Sequence, residues 1–165
     1  MKRQSGVTLV ELVITIVVLG VAIAGVVGAF AVISGRSADP LNQTRAITLS
    51  QLYMDEILTR YYDESTPVGG GKVASGDVDC ATAGPDGETR PTFDDADDYD
   101  GLADSPPQDG EGSDLSGYGG FSVSVAVACA GSEVGVANED AKRIDITITD
   151  PSGQDWLFTA YRANF

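Results

Sequence analysis

The sequence contains no histidine, and this absence argues against two classes of function. Imidazole is the most common general base in enzymes and a standard nitrogen ligand of zinc. No Gly-x-Ser-x-Gly or phosphate-loop pattern supplies another catalytic motif. Paired carboxylates such as Asp94 and Asp97 are the remaining candidates for acid–base chemistry, and they lie in a stretch that looks solvated. The sequence therefore predicts a protein that is not an enzyme.

Basic residues are scarce as well. The chain has 10 Lys and Arg against 25 Asp and Glu, which gives a net charge of -15. Because phosphate binding rests on Lys and Arg, this charge argues against a nucleic-acid partner. The acidic excess is concentrated in residues 63–120, where fifteen acidic residues face only Lys72 and Arg90. This segment is rich in Gly and Pro, which predicts a long acidic loop region.

Only two cysteines are present, Cys80 and Cys129. In an oxidising compartment such a pair indicates one disulfide. Two buried free thiols or half of a metal site are the alternatives, but zinc is disfavoured without histidine or a second cysteine pair. We favour the disulfide, and closing so long a loop would contribute on the order of 4 kcal/mol to stability.

One long apolar run stands near the N-terminus. From Leu12 to Ile33 the only non-apolar side chain is Thr15. A helix needs roughly 20 apolar residues to cross a bilayer core, so this run is long enough to span. The basic leader that precedes it predicts a cytoplasmic N-terminus. Glu11 lies at the start of the run, and an ionisable residue in a membrane segment is a functional hypothesis by default.

The stretch from Gly6 to Ile14, GVTLVELVI, follows a short basic leader and resembles the class III signal of type IV prepilins and type II secretion pseudopilins. The resemblance implies that a prepilin peptidase cuts after Gly6 and methylates the new amine of Val7. It also implies that Glu11 pairs with the N-terminus of a neighbouring subunit during filament assembly. The alternatives are an ordinary secretory signal, for which the run is too long, and a plain single-pass anchor.

The rest of the chain predicts one helix and three strands. Apolar residues recur at helical spacing from Leu41 to Tyr61, which predicts an amphipathic helix with one face in a core. We expect a kink or short break just before it, at Pro40. Apolar and polar residues alternate over 121–129, 143–149 and 155–162, which predicts antiparallel strands with one buried face.

These elements predict an α+β fold that resembles type IV pilins, in which a long N-terminal helix packs on a small antiparallel sheet. The expected divisions are a leader (1–6), a transmembrane and filament-core helix (7–35) and the amphipathic outer half of the helix (36–62). The acidic loop region (63–120) and the sheet (121–165) follow.

A dense acidic cluster lies between Phe93 and Gly101 and consists of Asp94, Asp95, Asp97, Asp98 and Asp100. Carboxylates packed so closely repel one another unless they are solvated or bridged by a cation such as calcium. The spacing does not match an EF-hand, because Ala96 would stand at the first ligand position and Pro107 at the bidentate one. We favour a solvated loop over a calcium site and expect no other cofactor.

A looser resemblance concerns the order of later segments. Arg90-Pro91-Thr92-Phe93, the acidic run and a late sheet ending in Ala160-Tyr161-Arg162 resemble minor pilins of mannose-sensitive haemagglutinin (MSHA) type pili. The function this implies is a minor pilin-like structural subunit. The alternatives are a type II secretion pseudopilin and a membrane-tethered module that binds calcium or a partner without polymerising.

The resemblance also implies the partners and the location. The partners would be other pilin or pseudopilin subunits, the prepilin peptidase, the inner-membrane assembly platform and membrane lipid. The precursor would cross the bacterial inner membrane once, with a cytoplasmic leader and a periplasmic C-terminal domain, before it enters a pilus or pseudopilus.

Overall fold

A computed structural model describes residues 8–36, 39–81 and 83–165. Gly6, Val7 and part of the expected break before Pro40 lie outside these residues. The chain divides into two compact units, Met1–Leu41 and Asn42–Phe165.

The first unit contains helix α1, Leu9–Arg36. Its Leu9–Ala31 span has a mean hydropathy of 2.8 and is long and apolar enough to cross a membrane. Large apolar side chains are exposed on every face of this span. The Thr8 hydroxyl accepts a hydrogen bond from the Glu11 amide at 3.3 Å, as the side chain of a helix N-cap does. The Thr15 hydroxyl donates to the Glu11 carbonyl at 2.7 Å, so this polar side chain is satisfied within the helix, as lipid requires.

Helix α2 spans Asp39–Thr59 and has Pro40 in its first turn, where a missing amide hydrogen costs no helical bond. Its buried apolar positions recur every three or four residues: Ala46, Leu49, Tyr53 and Ile57. The predicted amphipathic helix is therefore confirmed.

The second unit is built on a four-stranded antiparallel sheet in the order β1-β2-β3-β4. The strands are β1 (Ala103–Asp104), β2 (Ser122–Cys129), β3 (Ala141–Thr149) and β4 (Asp155–Ala163). One face of β2 and β3 is buried in the same core as the apolar face of α2, through Val123, Val125, Val127, Ile144, Ile146 and Ile148. The α+β fold class and the three longer strands are as predicted. Strand β1 was not predicted, because a two-residue strand has no period to detect.

The acidic loop region is folded onto this core. Phe93, Ala96 and Tyr99 are buried members of the core cluster. Residues Arg90–Thr92 and Asp97–Tyr99 each form one turn of 3₁₀ helix. Gly101, whose φ is 77°, turns the chain so that its amide donates to the Val125 carbonyl at 3.1 Å. The segment therefore belongs to the folded domain, although it contains little regular structure.

The predicted disulfide is present. Cys80 and Cys129 are bonded, with their Cα atoms 5.5 Å apart, and they are 49 positions apart in sequence. The bond joins the acidic loop region to the end of β2. Free thiols and half of a metal site are thereby ruled out for this pair.

The core can be tested with a matched pair of substitutions in neighbouring strands. Ile146 is fully buried, whereas the side chain of Leu157 is 65% exposed on β4. We expect Ile146→Ala to lower the free energy of unfolding by about 2–5 kcal/mol, because it leaves a cavity. Leu157→Ala should change it by less than about 1 kcal/mol. Denaturant unfolding of the detergent-solubilised chain measures both, and equal losses would contradict this packing.

Candidate functional site

Two parts of the molecule carry candidate functional groups, and the first is the start of α1. Glu11 is the third residue of the helix and is the acidic residue of its first turn. Within the described part of the chain, no cation lies within salt-bridge distance of its carboxylate. The carboxylate therefore lacks a counter-ion from these residues while it lies on an apolar surface.

The second part is an acidic cavity of about 320 Å³ on the sheet domain. Its walls come from three segments that are distant in sequence. The lining residues are Asp63, Glu64, Ser65, Asp77, Asp79, Gly84, Asp86, Asp95 and Asp97. The cavity thus gathers seven carboxylates, of which only two belong to the cluster predicted from sequence.

Lys142 of β3 supplies the positive charge beside this cavity. Its Nζ donates to the Tyr62 carbonyl at 2.7 Å and to Asp63 Oδ2 at 3.1 Å, and it contacts Asp97 Oδ2 directly. The same atom lies 4.5 Å from the centre of the Tyr62 ring. The lysine is only 1% exposed, so its charge is compensated entirely by neighbouring protein groups. Sequence reasoning missed Lys142, since its place in an alternating strand gives no sign of a buried charge.

Most of the clustered aspartates have structural roles. Asp95 Oδ1 accepts hydrogen bonds from the amides of Asp97 and Asp98 at 2.7 and 3.2 Å. Asp98 Oδ2 accepts from the amides of Asp94 and Asp95 at 2.9 and 3.1 Å. Such bonds from Asp side chains to nearby amides are what stabilise turns. The local density of Asp is therefore explained in part by loop formation.

Asp100 has a similar role at longer range. Its Oδ1 accepts a hydrogen bond from the amide of Val127 at 2.8 Å, which fastens the loop to β2. Asp100 therefore does not join the cavity, although the sequence analysis grouped it with the other candidate calcium ligands.

Burial perturbs two of these carboxyls. It raises the pKa of Asp97 to about 7, although the charge of Lys142 acts in the opposite direction. Burial, together with the charge of Asp98, raises the pKa of Asp95 to about 6. The charge of Asp94 raises the pKa of Glu64 in the same neighbourhood. Adding a negative charge to this cluster is therefore costly at neutral pH.

Two groups of carboxylates have the proximity that a cation site needs. One consists of Glu64, Asp94 and Asp95 and the other of Glu88, Asp94 and Asp98, with ligand oxygens within 4.8 Å of one another in each group. Three of the five candidate calcium ligands, Asp94, Asp95 and Asp98, fall in these groups. Glu64 and Glu88 were not predicted, because the fold brings them to the cluster from other loops.

The Arg90-Pro91-Thr92-Phe93 pattern has a packing role. Arg90 is buried, its Nη2 lies 3.0 Å from Glu56 Oε2, and its guanidinium carbon lies 5.0 Å from the ring centres of both Tyr53 and Tyr99. This arginine joins the loop region to α2 and takes no part in the acidic cavity.

Comparison with known proteins concerns the first of the two candidate parts, the start of α1. Residues 1–27 match the family model described as "Prokaryotic N-terminal methylation motif". No curated protein and no solved structure matches the chain. The motif is the signal of type IV prepilins, and with the apolar helix it indicates a membrane-anchored, type IV pilin-like or pseudopilin subunit.

The perturbed carboxyls predict how stability depends on pH. The folded-state pKa of Asp95 lies above its unfolded value of 3.8, so the folded state binds more protons between the two values. Stability should therefore rise as the pH falls from 8 to 5. Asp95→Asn keeps the Oδ1 acceptor but carries no charge, and it should stabilise the protein at pH 8 by on the order of 1–2 kcal/mol.

Thermal melting of the two proteins at both pH values provides the test. At pH 5 the advantage of Asp95→Asn should shrink, because Asp95 is then mostly neutral in the folded protein. Asp55→Asn, at an exposed position of α2, is the control and should show no such pH-dependent difference. A variant that is less stable than the parent at pH 8 would contradict the assignment.

Proposed function

We propose that the protein is a minor pilin-like structural subunit that a prepilin peptidase cleaves after Gly6 and methylates on Val7. It is then assembled through α1 into a type IV pilus of the MSHA kind. The observation that supports this most is the methylation motif over residues 1–27, which continues into an exposed apolar helix carrying one carboxylate.

In this proposal Glu11 pairs with the N-terminal amine of a neighbouring subunit. A free amine at Val7 and a carboxylate at Glu11 are opposite charges, and both are costly in lipid when unpaired. Pairing between staggered helices offsets both desolvation costs and fixes the axial register of the subunits. A buried pair of this kind contributes more to specificity than to net stability.

The second unit suits a location outside the membrane. Its disulfide is typical of an oxidising compartment such as the periplasm. The partners in this account are other pilin subunits, the peptidase, the inner-membrane assembly platform and lipid. The MSHA assignment rests on the looser pattern of the loop and sheet, and a type II secretion pseudopilin shares the same signal.

Substitution of Glu11 tests assembly directly. We expect Glu11→Ala to insert into the membrane and to be cleaved normally, because neither step needs the pairing. Incorporation into sheared surface filaments should fall at least tenfold, measured by immunoblotting of the filament and membrane fractions. Asp55→Ala is the matched control and should be incorporated normally. Normal incorporation of Glu11→Ala would contradict the proposal and favour a tethered module.

The carboxylate geometry favours one second candidate, a calcium-binding module. Asp94 belongs to both groups of close carboxylates, and it is exposed. Calcium takes six to eight oxygen ligands and would relieve the repulsion among these groups. Binding to the folded state alone raises its stability.

Calcium-dependent melting tests this candidate. We expect millimolar calcium to raise the melting temperature at pH 7.5 by a few degrees, and Asp94→Asn to abolish the rise. Asp55→Asn should keep it. Melting that is unchanged by calcium in the parent protein would remove the calcium proposal and leave the solvated loop.

A further inference from the structure

Lys142 and Asp97 form an ion pair that is largely buried. The Nζ atom of Lys142 touches Asp97 Oδ2 and lies 3.1 Å from Asp63 Oδ2. The side chains of Lys142, Asp63 and Asp97 are 1%, 3% and 13% exposed. An amine and two carboxyl groups are thus held together where water has little access.

We propose that Lys142 and Asp97 condense to an intramolecular amide bond, with Asp63 as the base. The bond would join the turn at Asp97 to strand β3 and form a covalent modification of the folded chain. Holding reacting groups in contact removes most of the entropic barrier that slows amide formation between free amines and acids.

The hydrogen bonds decide which carboxyl reacts. Asp63 Oδ1 accepts from the Ser65 amide at 3.0 Å, and Asp63 Oδ2 accepts from the Asp79 amide at 3.2 Å in addition to Lys142. These donors hold the Asp63 carboxyl group in place beside the amine, in the position that a base needs. Among the described residues, Lys142 is the only hydrogen-bond donor recorded for the carboxyl oxygens of Asp97. Asp97 is therefore the carboxyl that loses its oxygen.

The reaction balances without any further reagent. A proton passes from the Lys142 ammonium group to the Asp97 carboxylate across their contact, which leaves a neutral amine and a neutral acid. The Nζ lone pair attacks Cγ of Asp97 while Asp63 takes a second proton from Nζ. Asp63 then gives this proton to the departing hydroxyl, the C–O bond breaks and one water molecule leaves. The adjacent cavity, which Asp63 and Asp97 both line, provides its exit.

The position of the bond gives it a mechanical consequence. Lys142 lies opposite Cys129 in the β2–β3 register, and Cys129 carries the disulfide to Cys80. The amide would close a second long loop, since Asp97 and Lys142 are 45 positions apart. Two covalent links at the same end of the sheet would hold the acidic loop region in place when the domain is pulled or attacked by proteases.

Mass spectrometry of the full chain, extracted in detergent and reduced, provides the test. The amide should lower the intact mass by about 18 Da, one water molecule, relative to the same chain without it. Trypsin should release a branched peptide that contains both Lys142 and Asp97. Lys72, which is 52% exposed and lies 2.9 Å from Asp140, is an internal control and should remain unmodified. A full intact mass with linear peptides at both positions would overturn the proposal.

Variants separate the roles of the three residues. Lys142→Arg keeps the charge but should show no mass deficit. Asp97→Asn should still condense, with a loss of about 17 Da because ammonia leaves instead of water. Asp63→Asn should remain linear, and a branched peptide in this variant would overturn the assignment of Asp63 as base. The parent mass decides the existence of the bond even where a variant fails to fold.

Discussion

An apolar helix that exposes its side chains on every face is unstable in water. The environment of α1 therefore determines where its one charged side chain can be accommodated. The Leu9–Ala31 span of α1 carries one ionisable group, Glu11. Lipid removes the cost of the apolar surface but increases the cost of the charge. A partner that supplies a cation at the same depth would offset the cost of this charge. The match of residues 1–27 to the prokaryotic N-terminal methylation motif supports our proposal that a neighbouring subunit is that partner.

The second unit folds in spite of repulsion among its many carboxylates. Its loop region carries most of the excess negative charge, yet it is folded onto the sheet. Two features make this possible: aspartates that bond to amides in their own turns, and Lys142, which compensates two carboxylates inside the protein. Seven carboxylates line one cavity, where protons or a metal ion would lower the repulsion among them. The two units thus place their costly charges where a partner or a cation can reach them.

The periodic parts of the fold could be predicted from the sequence, and the irregular parts could not. A regular pattern of apolar residues indicates one buried face. Such a pattern is present in α2, at helical spacing, and in β3, where Ile144, Ile146 and Ile148 alternate with polar residues, so both elements were predicted correctly. The burial of Tyr99 depends on contacts distant in sequence, such as the hydrogen bond from its hydroxyl to Glu56 at 2.7 Å. The partners of Lys142 likewise come from two separate segments, Tyr62 with Asp63 and, further along the chain, Asp97. The disulfide was predictable only because a single pair of cysteines leaves one pairing.

The mass of the N-terminal peptide tests the central claim most directly, because the proposed assembly begins with cleavage after Gly6 and methylation of Val7. The chain should be extracted from membranes of cells with an active prepilin peptidase and digested with chymotrypsin. We expect a first peptide that begins at Val7 and is heavier by one methyl group. A peptide that retains Met1, or one cut at a position other than after Gly6, would contradict the claim.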